Sequence, residues 1–282
     1  MEGGSDALHS YVDKWLAAQP AQRVALAFVD PARYPGHIAL AALEQELLGA
    51  AYGIREPHVA VTKLNWWAEE LAGAAHSGGR HPLTQLLFDD ARATRIGSER
   101  WLAPVLAAMA QLEEGTAADF AAQLAAAAQL HGALAALETA WWFGEAATPA
   151  RAARLATLAH LLHALRRLDD DAERDRLPLP MALLARHGLS REQLRHPGTA
   201  RNAAVRDQLH ELTAAWQDAA GLPGPLSVFR ATESRVGERL ARRAAGAAEP
   251  LQTLQRARVS GGMATTLAAW QAARRWQRSL GA

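Results

Sequence analysis

LAHLLHALRRLDDDAERDRLPLP, residues 158 to 180, decides how the chain is read. Leu158, Leu161, Leu162, Leu165 and Leu168 recur at the three-and-four spacing of one buried helical face. The run then turns acidic at Asp169, Asp170, Asp171, Glu173 and Asp175, interleaved with Arg174 and Arg176, and Pro178 and Pro180 stop the helix. Carboxylates at the end of a long apolar helical face can offer metal ligands to a phosphate group in a cavity. The plain alternative is a solvated, charged helix end.

Working outward, 282 residues rich in alanine, leucine, arginine and glutamate, with few runs of valine, isoleucine and threonine, predict an all-α chain. One domain over residues 1–282 is expected, with an N-terminal extension helix over about the first 20 residues. The 30 basic and 29 acidic residues are mixed, without a basic block, so a nucleic-acid partner is not expected. The lack of cysteine excludes a disulfide framework, a thiolate metal site and a cysteine nucleophile. MEGGSDALHSYVDKW has neither the basic start nor the apolar stretch of a signal peptide, which suggests a cytoplasmic protein. The alanine-rich run from Ala117 to Leu137 carries Asp119, Gln123, Gln129 and His131, and so reads as a packed helix. Any membrane contact is expected to be peripheral.

About a dozen helices joined by short loops predict an orthogonal helical bundle around a central cavity or core. Expected starts include Asp30 with Pro31 or Pro35, Pro57, Pro82, Ser98, Thr116 and Thr148 with Pro149. GLPGP, residues 221 to 225, reads as a linker. From Phe229 to Leu280 two helices are expected, interrupted at Pro250, with a kink or close-packing point at Gly261 and Gly262.

KLNWWAEEL, residues 63 to 71, puts Trp66 and Trp67 beside Glu69 and Glu70 on one helix. Adjacent side chains point about 100° apart, so one tryptophan can line an interior while the other packs on a neighbour. The sequence continues with His81 and Pro82 and, some eighty residues on, LRRLDDDAERDRLPLP. Together these segments resemble the squalene/phytoene synthase family, whose counterparts read RLQWWRDEL, HP and FQLTNILRDxxEDxRRGRxYLP. The resemblance runs roughly from Val24 to Trp276. It implies an isoprenoid synthase fold with a cavity for prenyl diphosphates such as farnesyl or geranylgeranyl diphosphate. In active members two aspartate-rich motifs on opposed helices hold magnesium, which ionises one diphosphate for head-to-head condensation. Carboxylates four apart on a helix suit a cation that takes oxygen ligands in near-octahedral geometry.

Aligned back from Leu179 and Pro180, the second motif falls on Arg167 and Asp171, so its first aspartate is an arginine here. At i and i+4 the two are expected to pair with each other. His160 and His163 stand where the family has glutamine and asparagine; they read as cavity-wall histidines, with a metal pair as the alternative. At the first motif, LYAFCRxADDxVD in active members, this chain has ALEQELLGAAYGI, with Leu48, Gly49 and Tyr52 at the aspartate positions. Glu44 and Glu46 lie upstream and two apart, as salt-bridge partners or a substitute metal site; Asp89 and Asp90 are expected at the surface.

This motif state is similar to the non-catalytic branch of the family that includes the mitochondrial complex I assembly factor, with FNxEL and LRA at the two motifs. The strong arginine bias, with Lys14 and Lys63 the only lysines, suits a bacterial chain of high-GC coding. The resulting expectation is a squalene/phytoene synthase-like protein impaired in condensation, needing no cofactor, that binds a prenyl diphosphate or other isoprenoid lipid or a protein partner. The alternative is an active prenyltransferase in which magnesium sits on Asp170 or Asp171, and Arg166, Arg167, Arg174 or Arg176 contact diphosphate. A third reading is a helical interaction module whose cavity has filled. Trp66, Trp67, His160, His163, Arg167, Arg174 and Arg176 are the expected cavity residues, and no catalytic residue is named.

Overall fold

A computed structural model describes residues 2–113, 115–174, 176–257 and 262–280, and Asp175 and Gly261 lie outside them. Among these residues the fold is all-α. Helices α1 (Glu2–Ala18) and α2 (Gln22–Leu26) lead to α3 (Pro35–Leu48), which runs directly into a π-helical turn at Gly49–Gly53. Next come α4 (Pro57–Ser77), α5 (Pro82–Phe88), α6 (Ser98–Gln111) and the long α7 (Phe120–Phe143). The quoted stretch forms α8 (Ala150–Arg166) and α9 (Leu168–Glu173), followed by α10 (Met181–Arg186), α11 (Arg191–Leu194) and α12 (Thr199–Ala219). The last three are α13 (Val228–Ala245), α14 (Pro250–Arg256) and α15 (Met263–Leu280).

Proline opens α3, α4, α5 and α14, where its missing N–H costs nothing. Several boundaries differ from the sequence reading. Asp30 does not start a helix; its Oδ1 accepts the Ala32 N–H in a turn at 2.9 Å, and α3 waits for Pro35. The cap of α7 is Asp119 rather than Thr116, because the Asp119 carboxylate accepts the Ala122 N–H at 2.8 Å. Ser98 is the first residue of α6 rather than its cap. Phe229 to Leu280 holds three helices, not two. The central helix tightens at Arg167 (φ −94°, ψ 13°), which separates α8 from α9 and re-aims the acidic run.

Two apolar cores flank the centre. Trp15, Leu43, Leu64, Trp67, Trp101, Trp141 and Trp276 belong to one, which gathers α1, α3 to α7 and α15. Leu158, Leu162, Leu165, Val205, Leu209, Leu212, Trp216 and Leu254 belong to the other, built on α8, α12 and α14. Helices α7 and α8 pack along each other between the two cores, and α13 reaches α8 on one side and α15 on the other. By length and composition α7 could cross a membrane. It also carries buried His131 and Glu138 into the bundle and packs on α6 and α8.

Salt bridges and side-chain hydrogen bonds to backbone then fix the second core. Asp169 pairs with buried Arg201 of α12 and accepts from Gln255 of α14 at 2.6 Å. Arg166 donates to the carbonyls of Leu254 at 3.1 Å and Ala257 at 3.4 Å, so it is a strut between α8 and α14 rather than a diphosphate contact.

Close packing of α3 on α7 depends on a residue without a side chain. A Cβ on Gly36 would stand 2.6 Å from Cζ2 of Trp141, a fully buried ring with no free direction to move. Gly36→Ala is expected to cost about 1–3 kcal/mol through overpacking, read as a lower urea midpoint. An unchanged midpoint would mean that this contact is looser than described.

Candidate functional site

A cavity of about 850 Å³ opens between the two cores. From α3 and its π turn it receives Glu44, Leu48, Gly49 and Tyr52; from α6 and α7, Gln111, Leu112 and His131; from α8, Ala156, Ala159, His160 and His163. Arg230 and Glu233 of α13 close another wall, and Arg55, Arg167, Asp171 and Arg176 complete the lining.

Arg230, only 5% exposed, ties that wall together. Its Nε donates to Glu138 Oε2 at 3.0 Å, Nη1 to Glu233 Oε2 at 2.7 Å and Nη2 to Glu44 Oε1 at 2.8 Å. Ser227, which caps α13 by accepting the Arg230 N–H, also donates to Glu138 Oε1 at 2.5 Å. Three carboxylates on one guanidinium leave excess negative charge in a poorly solvated place. Burial is the main influence on Glu44 and raises it to about 7, even against the pull of Arg230; burial also raises Glu233. Burial alone would lower Arg230, yet the surrounding carboxylates push it well above its ordinary value.

A layer of rings faces this cluster. Tyr52 stacks on His160 at 4.5 Å, and His160 on His131 at 4.2 Å. The Tyr52 hydroxyl donates to Gln111 Oε1 at 3.2 Å and lies 3.4 Å from His131 Nε2. Burial dominates all three histidines of the wall and favours neutral imidazole: His131 falls well below its usual value, His160 to about 3 and His163 to about 4. His163 exposes its surface, and that surface lines the cavity.

The acidic run splits three ways. Asp169 is consumed by Arg201 and Gln255. Asp170 lines a polar recess of about 410 Å³ with Arg55, Glu173, Arg174 and Arg176. Asp171 lines the main cavity; burial raises its carboxyl, with Arg167, Arg176 and Arg174 pulling the other way. The side-chain pair expected between Arg167 and Asp171 does not form among the described residues, and their link is the backbone bond from Asp171 N–H to Arg167 C=O at 2.9 Å. That bond keeps the i, i+4 backbone register across Arg167, but with Arg167 at ψ 13° the two side chains do not meet.

Magnesium would need several oxygen ligands converging from opposed helices. This donor set does not fit. Leu48 and Gly49 offer no side-chain oxygen, Tyr52 is engaged in the ring layer, and Arg167 brings positive charge to the other motif. Glu44 is taken by Arg230, and Glu46 is bound to Lys63 at 2.8 Å and Lys14 at 3.6 Å, which removes the substitute-site reading for both. Among the described residues no group of three or more histidine, aspartate or glutamate side chains could hold a metal ion.

Trp66 and Trp67 lie away from these walls. Trp67 is buried in the first core against His81, with ring centroids 4.8 Å apart, while Trp66 is 41% exposed. The neighbouring glutamate explains the motif. Buried Glu70 accepts from Arg80 N at 2.7 Å, Arg80 Nε at 3.0 Å, His81 N at 2.9 Å and Thr84 Oγ1 at 2.6 Å, and so builds the turn from α4 into α5. Burial would raise its carboxyl, but these bonds outweigh it and hold Glu70 near 2. Of the acids set aside as surface, Asp89 is exposed and Asp90 is half-buried against Arg92.

Sequence reasoning placed His160, His163, Arg167, Arg176 and Asp171 among the candidates, and the cavity brings them together. It missed His131, Glu233 and Arg230. The available signal was polar side chains on α13 amid apolar ones: Arg230, Glu233 and Ser234 among Val228, Phe229 and Ala231.

The family model described as squalene/phytoene synthase matches residues 22–262. No curated protein matches the chain. Among solved structures, a dehydrosqualene synthase in complex with ligand superposes with a TM-score of 0.64 at 11% identity, over 98% of this chain and 99% of that one. Squalene synthase HpnC from Alicyclobacillus acidocaldarius gives 0.56 at 14% identity, over 96% and 95%. At these identities the likeness is one of fold.

Two expectations follow from the cavity's electrostatics. Arg230→Met would leave buried Glu138 and half-buried Glu44 and Glu233 without their cation and is expected to cost about 3–5 kcal/mol in chemical denaturation. A loss below about 1 kcal/mol would show that solvent already screens the cluster. The second concerns pH. His37, lowered to about 3 mainly by burial, joins His131 and His160 as buried neutral imidazoles. Because their folded values lie below the usual 6.5, the unfolded chain takes up protons first, and stability present above 6.5 is lost on acidification. Each histidine contributes about 1.4 kcal/mol per pH unit in that window. Glu44 acts oppositely, since its folded value lies above the usual 4.5: its contribution is full below 4.5 and lost as pH rises through about 7. With His81 and His163 also lowered, the histidines outnumber the carboxyls that burial raises, Glu44, Asp171, Glu211 and Glu233. Urea midpoints should fall from pH 6.5 to 5, whereas a flat profile would show charged or solvated imidazoles.

Proposed function

Because the chain belongs to the squalene/phytoene synthase family, we propose that it is a member that retains the isoprenoid cavity, has given up magnesium-dependent condensation, and acts by holding an isoprenoid ligand, as a binding or assembly protein. One observation carries this reading: the cavity is open at about 850 Å³ while Leu48, Gly49, Tyr52 and Arg167 stand at the positions where active relatives need carboxylates. A cavity that had filled with side chains would favour a plain interaction module, and this one has not.

The ligand class follows from the lining. Arg55, Arg167 and Arg176 border the cavity, and Arg174 joins Arg55 and Arg176 in the adjoining recess. Guanidinium groups bind phosphate oxygens by charge-assisted, often paired hydrogen bonds without a bridging metal. Leu48, Ile54, Leu112, Leu177 and several alanines give an apolar stretch for a prenyl chain. One prenyl diphosphate is therefore the favoured ligand, with its charged end on the arginines. A competing reading as an active transferase rests on Asp170 and Asp171, which line the recess and the cavity respectively. In that reading magnesium would supply the pull on a leaving diphosphate, but among the described residues Asp170 and Asp171 belong to no group of three or more acids and histidines that could hold a metal ion.

Calorimetric titration with a non-hydrolysable farnesyl diphosphate analogue distinguishes the readings. Binding is expected with and without magnesium at similar affinity. Arg167→Ala or Arg176→Ala should weaken it by roughly 10-fold or more, the worth of a charge-assisted hydrogen bond. Affinity that appears only with magnesium, together with condensation of labelled farnesyl diphosphate, would establish the transferase instead.

A further inference from the structure

Helix α15 is apolar on two opposite faces. Thr265, Ala269, Ala272, Ala273 and Trp276 are buried, and Trp276 sits in the aromatic group of Tyr34, His37 and Trp142. On the far side Met263, Leu267 and Trp270 follow at i, i+4 and i+7, and they are 90%, 51% and 41% exposed. The same stripe continues through Arg274 and Arg278, with Arg275 beside it, all exposed. The Arg274 guanidinium lies 5.0 Å from the centre of the Trp270 ring. From Met263 to Leu280 there is no aspartate or glutamate.

We propose that this outer face of α15 docks on an anionic lipid bilayer surface. Methionine, leucine and an indole in one line supply the apolar wedge that enters the acyl boundary, and tryptophan is suited to that boundary because its ring is apolar and its N–H polar. The arginines, on stems long enough to reach back to the headgroups, meet the negative surface charge. Charge complementarity selects this occupant over a second copy of the chain. Two copies meeting through this face would bring six arginines and no α15 carboxylate into one contact. The inference is independent of the ligand reading, since none of these residues lines the cavity. It has a bearing on it all the same: α15 packs on α2 and α13, and α13 carries Arg230 and Glu233 to the cavity wall. A chain that holds an isoprenoid would then sit against the phase in which such a molecule dissolves.

The test is co-sedimentation of the full chain with vesicles of equal parts phosphatidylcholine and phosphatidylglycerol, beside vesicles of phosphatidylcholine alone. Binding is expected to the anionic vesicles and to weaken sharply in 0.5 M salt. Each arginine near such a surface is worth roughly fivefold in partition, so Arg274→Gln/Arg275→Gln/Arg278→Gln should lose over tenfold. Leu267→Ser/Trp270→Ser should lose roughly tenfold at low salt, while Trp270→Phe retains most of the binding. These positions are exposed, and circular dichroism and thermal melts of each variant confirm the fold. Absence of sedimentation, or sedimentation undiminished in Leu267→Ser/Trp270→Ser, overturns the proposal. So does a dimer in sedimentation velocity that the same substitutions dissolve, which would make a second copy the occupant.

Discussion

Arg230 meets three carboxylates drawn from positions as far as 186 residues away in the chain. Glu44 belongs to α3, Glu138 to α7 and Glu233 to α13 itself, so one guanidinium pins three helices at the height of the cavity. Taking four charged groups out of water is costly, and the arrangement holds only because the hydrogen bonds to the guanidinium are short and directed. Removing the guanidinium leaves three acids without compensation, whereas removing one acid relieves part of the excess negative charge. The cavity wall is in this sense a single unit, and the neighbouring apolar cores are arranged around it.

The same cavity is also lined by a neutral layer. Tyr52, His131 and His160 stack face to face, and burial keeps the imidazoles uncharged. The cavity thus has three electrostatic zones: arginines at the acidic run, a carboxylate-rich wall at Arg230, and uncharged rings with aliphatic side chains elsewhere. A long apolar ligand with one charged end matches that division. Two diphosphates would have to share the arginine zone.

The fold was legible because helix periodicity, proline starts and motif order are local properties, and α4, α5 and α8 start close to where the sequence puts them. His160, His163 and Asp171 were legible for the same reason, as positions on one helical stretch. The Arg230 cluster was not: 92 and 186 residues separate its paired atoms, and no spacing marks them. Trp66 and Trp67 show the converse error. A conspicuous local pattern suggested cavity lining, whereas Glu70 and its four donors reveal a turn that must be built before α5 can pack. Tyr52 was noticed only as a missing aspartate, because nothing in the sequence announces that α3 ends in a π turn, where the wider coil re-aims the side chain.

That turn also makes a direct tie across the cavity mouth, for the Tyr52 carbonyl accepts from Arg176 Nη1 at 2.9 Å. The bond joins the two segments that align with the family's aspartate-rich motifs, and it bears on the proposed loss of condensation. An aspartate restored at position 167 alone would face a partner region already cross-linked to Arg176, and one restored in the π turn alone would still face Arg167. On the proposed reading neither single step recovers a clamp, so a return to metal binding would run through intermediates that gain nothing.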